Sequence, residues 1–282
     1  MIEDMQLRGY SARTQEAYAR AVRQLAEYVR RSPAEVTEEE LRQYFLYLAN
    51  EKKFARATTT IALCGIRFFF EHTLKRDWPT LRFVRPPHEF KLPVVLSREE
   101  VRLALSQVRI PVYRACLTTI YSCGLRLMEG ARMAVGDVDS ARMVLHVHGK
   151  GNRDRLVPLP ERTLSMLREF WKTHRSPQWL FPAPPRRGVS RNVDQKTGPV
   201  TRTSLQSAFY RAWKKTGIAK PAHVHTLRHS YATHLMEAGV HLRLIQDNLG
   251  HGSPKTTAIY THLTTEVRAT QTDPLNELMK DL

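Results

Sequence analysis

Three prolines fall within nine residues at Arg85-Pro86-Pro87-His88-Glu89-Phe90-Lys91-Leu92-Pro93, and proline is excluded from both helix interiors and the centres of sheets. No regular element is expected to cross this stretch, so the chain must build its core in two parts. Its 282 residues and 42% hydrophobic content supply enough material for two domains of ordinary size. The boundaries read from the sequence are a helical domain over 1–84, a linker over 85–95 and a second domain over 96–282. Lys and Arg number 16 against 12 Asp and Glu through residue 95, and 28 against 15 beyond it, so the second domain carries most of the basic excess.

That excess points to a class of partner. A formal charge of +17 draws a chain to a polyanion, and double-stranded nucleic acid is the first candidate. A membrane partner is not indicated. There is no M-G start or C-terminal C-a-a-X signal, and no apolar run approaches the roughly 18–20 residues that span a bilayer. Glu3 and Asp4 make the N-terminus unlike a secretory leader. A cytoplasmic, nucleoid-associated protein is the expectation. Cys64, Cys116 and Cys123 are odd in number and lack C-x-x-C spacing, which suggests neither a disulfide framework nor a zinc site.

The first domain is helical by pattern. Ser11 caps a helix whose apolar stripe is Tyr18, Val22, Leu25 and Val29. Thr37 with Glu40 forms a capping box for a second helix through Leu41, Tyr44, Phe45 and Leu48. A third helix, from about Ala57 to Leu74, stripes Ala62, Ile66, Phe69 and Phe70 and places Arg56, Thr60 and Arg67 on another face. Taken singly, each arginine here is more simply a solvated surface charge. Collectively Arg13, Thr58, Thr59, Thr60 and Arg67 are the candidate DNA contacts of this domain, joined in the second by Arg153 and Arg202.

In the second domain Ser97 and Glu100 make another capping box. A helix over about Val112 to Tyr121 breaks at Ser122-Cys123-Gly124, and Gly124 permits a turn that puts Arg126 at the next helix start with Glu129 one turn on. A helix N-terminus favours an anion beside Arg126, although on spacing alone an exposed Arg/Glu pair explains these two residues. Met143–His148 and Asp154–Leu159 alternate as strands around Gly149-Lys150-Gly151-Asn152-Arg153, a hairpin with a lysine at its tip. Lys150 could protonate a departing alkoxide; taken alone, the segment is better read as a solvated turn. Phe181 to Val200 has no periodicity and is expected to be a long flexible loop on the DNA side. Helices follow over Thr203–Thr216, His225–Ala238 and Leu242–Leu249, the last ended by Gly250, and Ser253-Pro254 opens another that carries Tyr260.

The chemistry collects in the last third. H-T-L-R-H at His225 to His229, L-G-H ending at His251 and Y-T-H beginning at Tyr260 offer one anion a guanidinium, imidazoles and a phenol. Arg228 can fork onto a phosphate, His225 and His251 can share protons near neutral pH, and Tyr260 can act as an oxygen nucleophile.

With G-L-R at Arg126 and H-G-K-G at Lys150, these motifs match in order the pattern Arg, Lys, His-x-x-Arg, His or Trp, and Tyr, and the chain resembles the tyrosine recombinases, or phage integrase family. Glu129, G-D-V-D at Gly136 to Asp139 and R-G-Y-S-A-R-T at Arg8 to Thr14 extend the likeness over nearly the whole chain. Gly130 departs from it, standing where a bulkier aliphatic is usual, and predicts looser packing behind Arg126. The resemblance implies a mainly α fold with a small antiparallel β-sheet (α+β), in which a SAM-like core-binding domain precedes a tyrosine-recombinase catalytic domain. It implies site-specific strand exchange through a 3′-phosphotyrosyl intermediate formed by Tyr260. Arg126 and Arg228 would hold the phosphate, Lys150 would be general acid, His225 would assist proton transfer, His251 would hydrogen-bond the phosphate and Glu129 would support the set. No metal or other cofactor is required. The implied assembly is a homotetramer on two DNA sites, joined through a C-terminal helix at about 273–282 that bears Leu275, Leu278, Met279 and Leu282. The first predicted helix begins only about ten residues in, which favours the simple type without an arm-binding domain.

Two other classes compete. His225 and His229 at i, i+4 suit a metallonuclease, but H-E-x-x-H is absent and Arg228 stands between them. The alternative within the same fold is a noncatalytic or degenerate DNA-binding regulator.

Overall fold

The structure, a computed structural model, describes residues 1–78, 81, 92–149, 154–184 and 198–250. The chain forms two compact units, Met1–Lys91 and Leu92–Leu282. The C-terminal helix expected at about 273–282 and most of the expected 85–95 linker lie outside the described residues.

In the first unit, α1 (Ile2–Leu7) precedes α2 (Ala12–Val29), α3 (Glu38–Asn50) and α4 (Arg56–Phe68). The caps follow the sequence. Ser11 Oγ accepts the Thr14 N–H at 3.3 Å, and Thr37 with Glu40 closes a reciprocal capping box. Ala21, Val22 and Leu25 of α2 bury against Leu41, Tyr44, Phe45 and Leu48 of α3 and Ala62, Ile66 and Phe70 from the third helical segment, each large apolar side chain contributing about 1.5–3 kcal/mol. The segment expected to run to Leu74 changes winding at its end: Phe69–Thr73 is a π-turn in which the Leu74 N–H reaches the Phe69 carbonyl at 3.0 Å. The wider turn goes with Phe70 in the core, stacked on Trp78 at 4.2 Å. Helix α1 escapes a periodicity reading because it is six residues long. It is fixed by tertiary contacts, with Met5 fully buried and Asp4 accepting the Thr73 hydroxyl at 2.7 Å.

The second unit is helical around a small sheet. Its helices are α5 (Arg98–Ser106), α6 (Pro111–Ser122), α7 (Leu127–Ala131), α8 (Glu161–Lys172), α9 (Arg202–Lys215), α10 (Val224–Glu237) and α11 (Leu242–Leu249). Strands β1 (Val138–Asp139), β2 (Val144–Val147) and β3 (Arg155–Pro158) form an antiparallel sheet in the order β1-β2-β3. The hairpin register pairs Leu145 with Val157 and Val147 with Arg155, so Leu145, Val147 and Val157 enter the core together. Helix α8, which no capping residue announces at Pro160, buries Thr163, Leu164 and Leu167.

Helices α6 and α10 are buried almost all round and run through the middle of the unit. The Ser230 hydroxyl of α10 accepts the Leu96 N–H at 2.9 Å, and Tyr121 of α6 meets His234 of α10 at 2.9 Å. The segment expected to be a flexible loop from Phe181 is fastened at both ends. Val200 N–H donates to the Phe181 carbonyl at 2.9 Å, Ala183 N–H to that of Gly198 at 2.8 Å, and Phe181 and Val200 are buried. Residues 185–197 lie outside the described residues.

Gly130 corrects a second expectation. The space behind Arg126 is filled, because a Cβ on Gly130 would stand 2.6 Å from Ile120 Cγ1. A branched side chain on α6 takes the volume that an aliphatic at 130 would occupy. Gly130→Ala is therefore expected to destabilise the protein by about 1–3 kcal/mol through overpacking, despite the roughly 1 kcal/mol that alanine gains in helix propensity. Urea unfolding measures the loss, and when Ile120→Ala is added to the same chain the combined loss should be smaller than the sum of the two single losses.

Candidate active site

The site begins where α6 ends. Gly124 turns the chain at φ +60°, and any Cβ there would stand 2.4 Å from the Tyr231 ring, so glycine is required for conformation and for room. The turn places Arg126 as the N-cap of α7. Its N–H donates to Glu129 Oε2 at 2.8 Å and its Nη1 to Oε1 at 2.7 Å. The carboxylate thus takes the helix N-terminus, where an external anion was expected.

Glu129 is the meeting point of three arginines. Arg155 grips both carboxylate oxygens, Nη1 to Oε1 at 3.1 Å and Nη2 to Oε2 at 2.8 Å, and Arg228 Nη1 lies 3.8 Å from Oε2. Side-chain exposure is 6% for Glu129, 1% for Arg228, 10% for Arg155 and 36% for Arg126, so only Arg126 presents much of its guanidinium to solvent. Burial alone would raise the Glu129 carboxyl. The Arg155 hydrogen bonds and the Arg126 N–H, backed by the guanidinium charge, outweigh it and lower the carboxyl to about 2.

The same arginines hold the end of α11. Arg155 Nε donates to the Asn248 carbonyl at 2.8 Å, Arg228 Nη2 to that of Leu249 at 2.5 Å and Arg126 Nη2 to that of Gly250 at 3.0 Å. Arg228 Nη1 also donates to the Gly124 carbonyl at 2.7 Å. Gly250, at φ +61°, ends α11 in the left-handed conformation. Three consecutive carbonyls, immediately ahead of His251, are each met by a different arginine.

Among the sequence-predicted residues, Arg126, Glu129 and Arg228 come together. His225 packs edge-on to His229 at 4.8 Å between ring centroids. Partial burial lowers the His225 imidazole, helped by the charges of Arg228, His223 and Arg126, and burial lowers His229 to about 4. Both rings are therefore neutral at pH 7, and a neutral ring nitrogen can accept a proton. Among the described residues no group of three His, Cys, Asp or Glu is arranged to hold a metal ion. Lys150, Arg153, His251 and Tyr260 lie outside the described residues. Gly149, the residue before Lys150, lines a cleft of about 340 Å³ with Arg126, Glu129, Arg132 and His146.

The candidate DNA contacts divide. Arg13, Thr58, Arg67 and Arg202 are exposed, as is Thr60, whose hydroxyl donates to the Arg56 carbonyl at 2.8 Å. Arg67 pairs with Glu71 at 2.7 Å. Thr59 is buried, its hydroxyl turned to the Ala55 carbonyl at 3.5 Å, because its position faces the core beside Ala62 and Ile66.

Arg155 is the site residue that sequence reading missed. Its signal was available in the strand alternation. Val157 and Leu159 point inward, so Arg155 shares their face, and a cation on a core-facing register position needs a buried partner.

Because the Glu129 carboxyl falls from an ordinary 4.5 to about 2 on folding, the unfolded chain binds the extra proton between those values. Its stabilisation is complete above about pH 4.5 and is lost as pH falls towards about 2. Denaturant unfolding of wild type and Glu129→Gln at several pH values should show a gap on the order of 3 kcal/mol near neutrality that closes in acid. A gap independent of pH would contradict this account.

Comparison with known proteins matches this arrangement to a family. Residues 95–266 match the phage integrase family and residues 1–80 the N-terminal SAM-like domain of phage integrases. The Sinorhizobium fredii protein y4qK is 40% identical over 280 residues, covering 99% of this chain and 88% of its own length. Tyrosine recombinase XerC of Xylella fastidiosa is 33% identical over 272 residues, covering 91% and 88%. The fold is that of the XerH site-specific recombinase, in its post-cleavage complex with palindromic difH substrate, with a TM-score of 0.73 at 22% identity and coverage of 97% and 83%. With this overlap along both units, the chain belongs to the phage integrase family of tyrosine recombinases.

Proposed function

We propose that this protein is a site-specific DNA recombinase that breaks and rejoins DNA through a tyrosine. The observation that carries the reading is the convergence of Arg126, from the start of α7, and Arg228, from buried α10, on one carboxylate beside the Gly250 turn. Two guanidiniums fixed beside one another suit the two nonbridging oxygens of a phosphodiester and the charge that develops on them in the transition state.

In this reading the Tyr260 oxygen attacks phosphorus, a phosphotyrosyl bond forms on the 3′ side and the P–O5′ bond breaks. The 5′ oxygen leaves with a proton from Lys150, neutral His225 assists proton transfer from the tyrosine, and His251 hydrogen-bonds the phosphate. The ester bond is kept in the protein link, so a 5′-hydroxyl from a second DNA site reverses the chemistry on a new strand. Exchange between two sites calls for four protomers, with the segment at 273–282 as the joining element. Exposed Arg13, Thr58, Thr60, Arg67 and Arg202 contact the duplex, together with Arg153, and the +17 formal charge supports that partner. The protein acts at the chromosome, in the cytoplasm.

Incubated with fragmented host DNA, the wild-type protein should form a covalent adduct that survives denaturation, and Tyr260→Phe should form none. Binding without an adduct would defeat the proposal. Lys150→Ala should slow adduct formation by about 10²–10⁴-fold on ordinary DNA. On DNA bearing sulfur at the 5′ bridging position it should approach the wild-type rate, because a thiolate leaves without being protonated.

A further inference from the structure

The strongest feature outside the family motifs is Arg155. It is one of three arginines on Glu129, yet it lies on β3, next to the hairpin turn, and it is 10% exposed. Its guanidinium makes three directed bonds: two close a fork on the Glu129 carboxylate, and Nε takes the Asn248 carbonyl at 2.8 Å. The fit around it is close. A Cβ on Gly250 would stand 2.9 Å from Arg155 Cδ and 3.2 Å from Nε, so the glycine that ends α11 also makes room for this side chain.

We propose that Arg155 is a positioning residue for phosphoryl transfer. It ties the hairpin, the Glu129 carboxylate and the end of α11 into one unit. This keeps Arg126 and Arg228 in register with each other and with the chain that leaves Gly250. The inference rests on the tyrosine-recombinase mechanism proposed above.

The electrostatics require such a residue. Without Arg155, Glu129 would keep only Arg126 and the more distant Arg228 as cationic partners. A buried carboxylate draws whatever cation remains, and it would pull Arg126 inward, away from the phosphate. The Asn248 carbonyl would lose its donor, leaving the helix end held by two arginines that must also meet the phosphate. Arg155 relieves both demands because its donors are already engaged within the protein. A lysine cannot replace it: one ammonium cannot bridge two carboxylate oxygens and a carbonyl in a plane.

The test compares the full-length wild type with Arg155→Met and Arg155→Lys in three measurements. Single-turnover adduct formation on nicked DNA should fall by about 10²-fold in Arg155→Met, the scale of a misplaced reacting group, and Arg155→Lys should recover little of it. The salt dependence of DNA binding should keep its slope. Loss of a direct phosphate contact would lower that slope by about 1 and would overturn the positioning role. Amide hydrogen exchange should quicken in Leu242–Gly250 in Arg155→Met while α6 keeps its protection, and an unchanged Leu242–Gly250 overturns the proposal. Exchange needs no activity, so it judges Arg155 even if the wild type forms no adduct, an outcome that would count against the tyrosine mechanism alone. Full recovery by lysine would show that charge, not the fork, is what the site needs, and would also overturn it.

Discussion

Everything at the candidate active site hangs on the Glu129 carboxylate. Three guanidiniums gathered against the end of one short helix repel one another, and nothing in the apolar core would hold them there. A single buried negative charge reverses the balance, since it binds Arg155 through two bonds and Arg126 through two, with Arg228 at 3.8 Å. Removing the carboxylate from such a buried set leaves the guanidiniums uncompensated, typically at a cost of about 3–5 kcal/mol. Three arginines and one carboxylate leave a net charge of +2, which favours an incoming anion. The low Glu129 pKa follows from the same arrangement.

The backbone takes part as well. The last carbonyls of a helix have no partners within it and carry its partial negative charge. In α11 the carbonyls of Asn248, Leu249 and Gly250 are met by Arg155, Arg228 and Arg126. The helix end therefore serves as an anchor for the arginines. A short helix of eight residues would be marginal alone; Ile245 and Leu249, packed on Tyr231, Ala232 and Met236, secure its other face.

Local chemistry made much of this legible in the sequence. Thr37 with Glu40, Ser97 with Glu100, and the glycines at 124 and 250 announce their caps and turns because each acts within four residues of itself. The alternating strands around 149–153 announce the hairpin for the same reason. Features set by distant partners were hidden. Helix α1 depends on Thr73, the filling behind Gly130 depends on Ile120, and Thr59 is lost as a DNA contact because its helix face is turned to the core. Helix α8 begins after Pro160 without a side-chain cap, so no start signal marks it. Arg155 resembles its neighbour Arg153 in the sequence. Only the β2–β3 register, which sets Arg155 opposite buried Val147, marks it as a core-facing cation.

The two arginines assigned to the phosphate are not equivalent. Arg228 rises from α10, whose residues are buried on nearly every side, and its guanidinium is bonded to the Gly124 and Leu249 carbonyls. It is a fixed point, set when the core forms. Arg126 is one-third exposed and reaches Gly250 through one bond at 3.0 Å. A phosphate approaching from solvent would compete for that Nη2, and the carbonyl that loses it belongs to the residue just before His251. Arg228 and Arg155 bond the Leu249 and Asn248 carbonyls, so an exchange at Arg126 leaves those two contacts at the helix end in place.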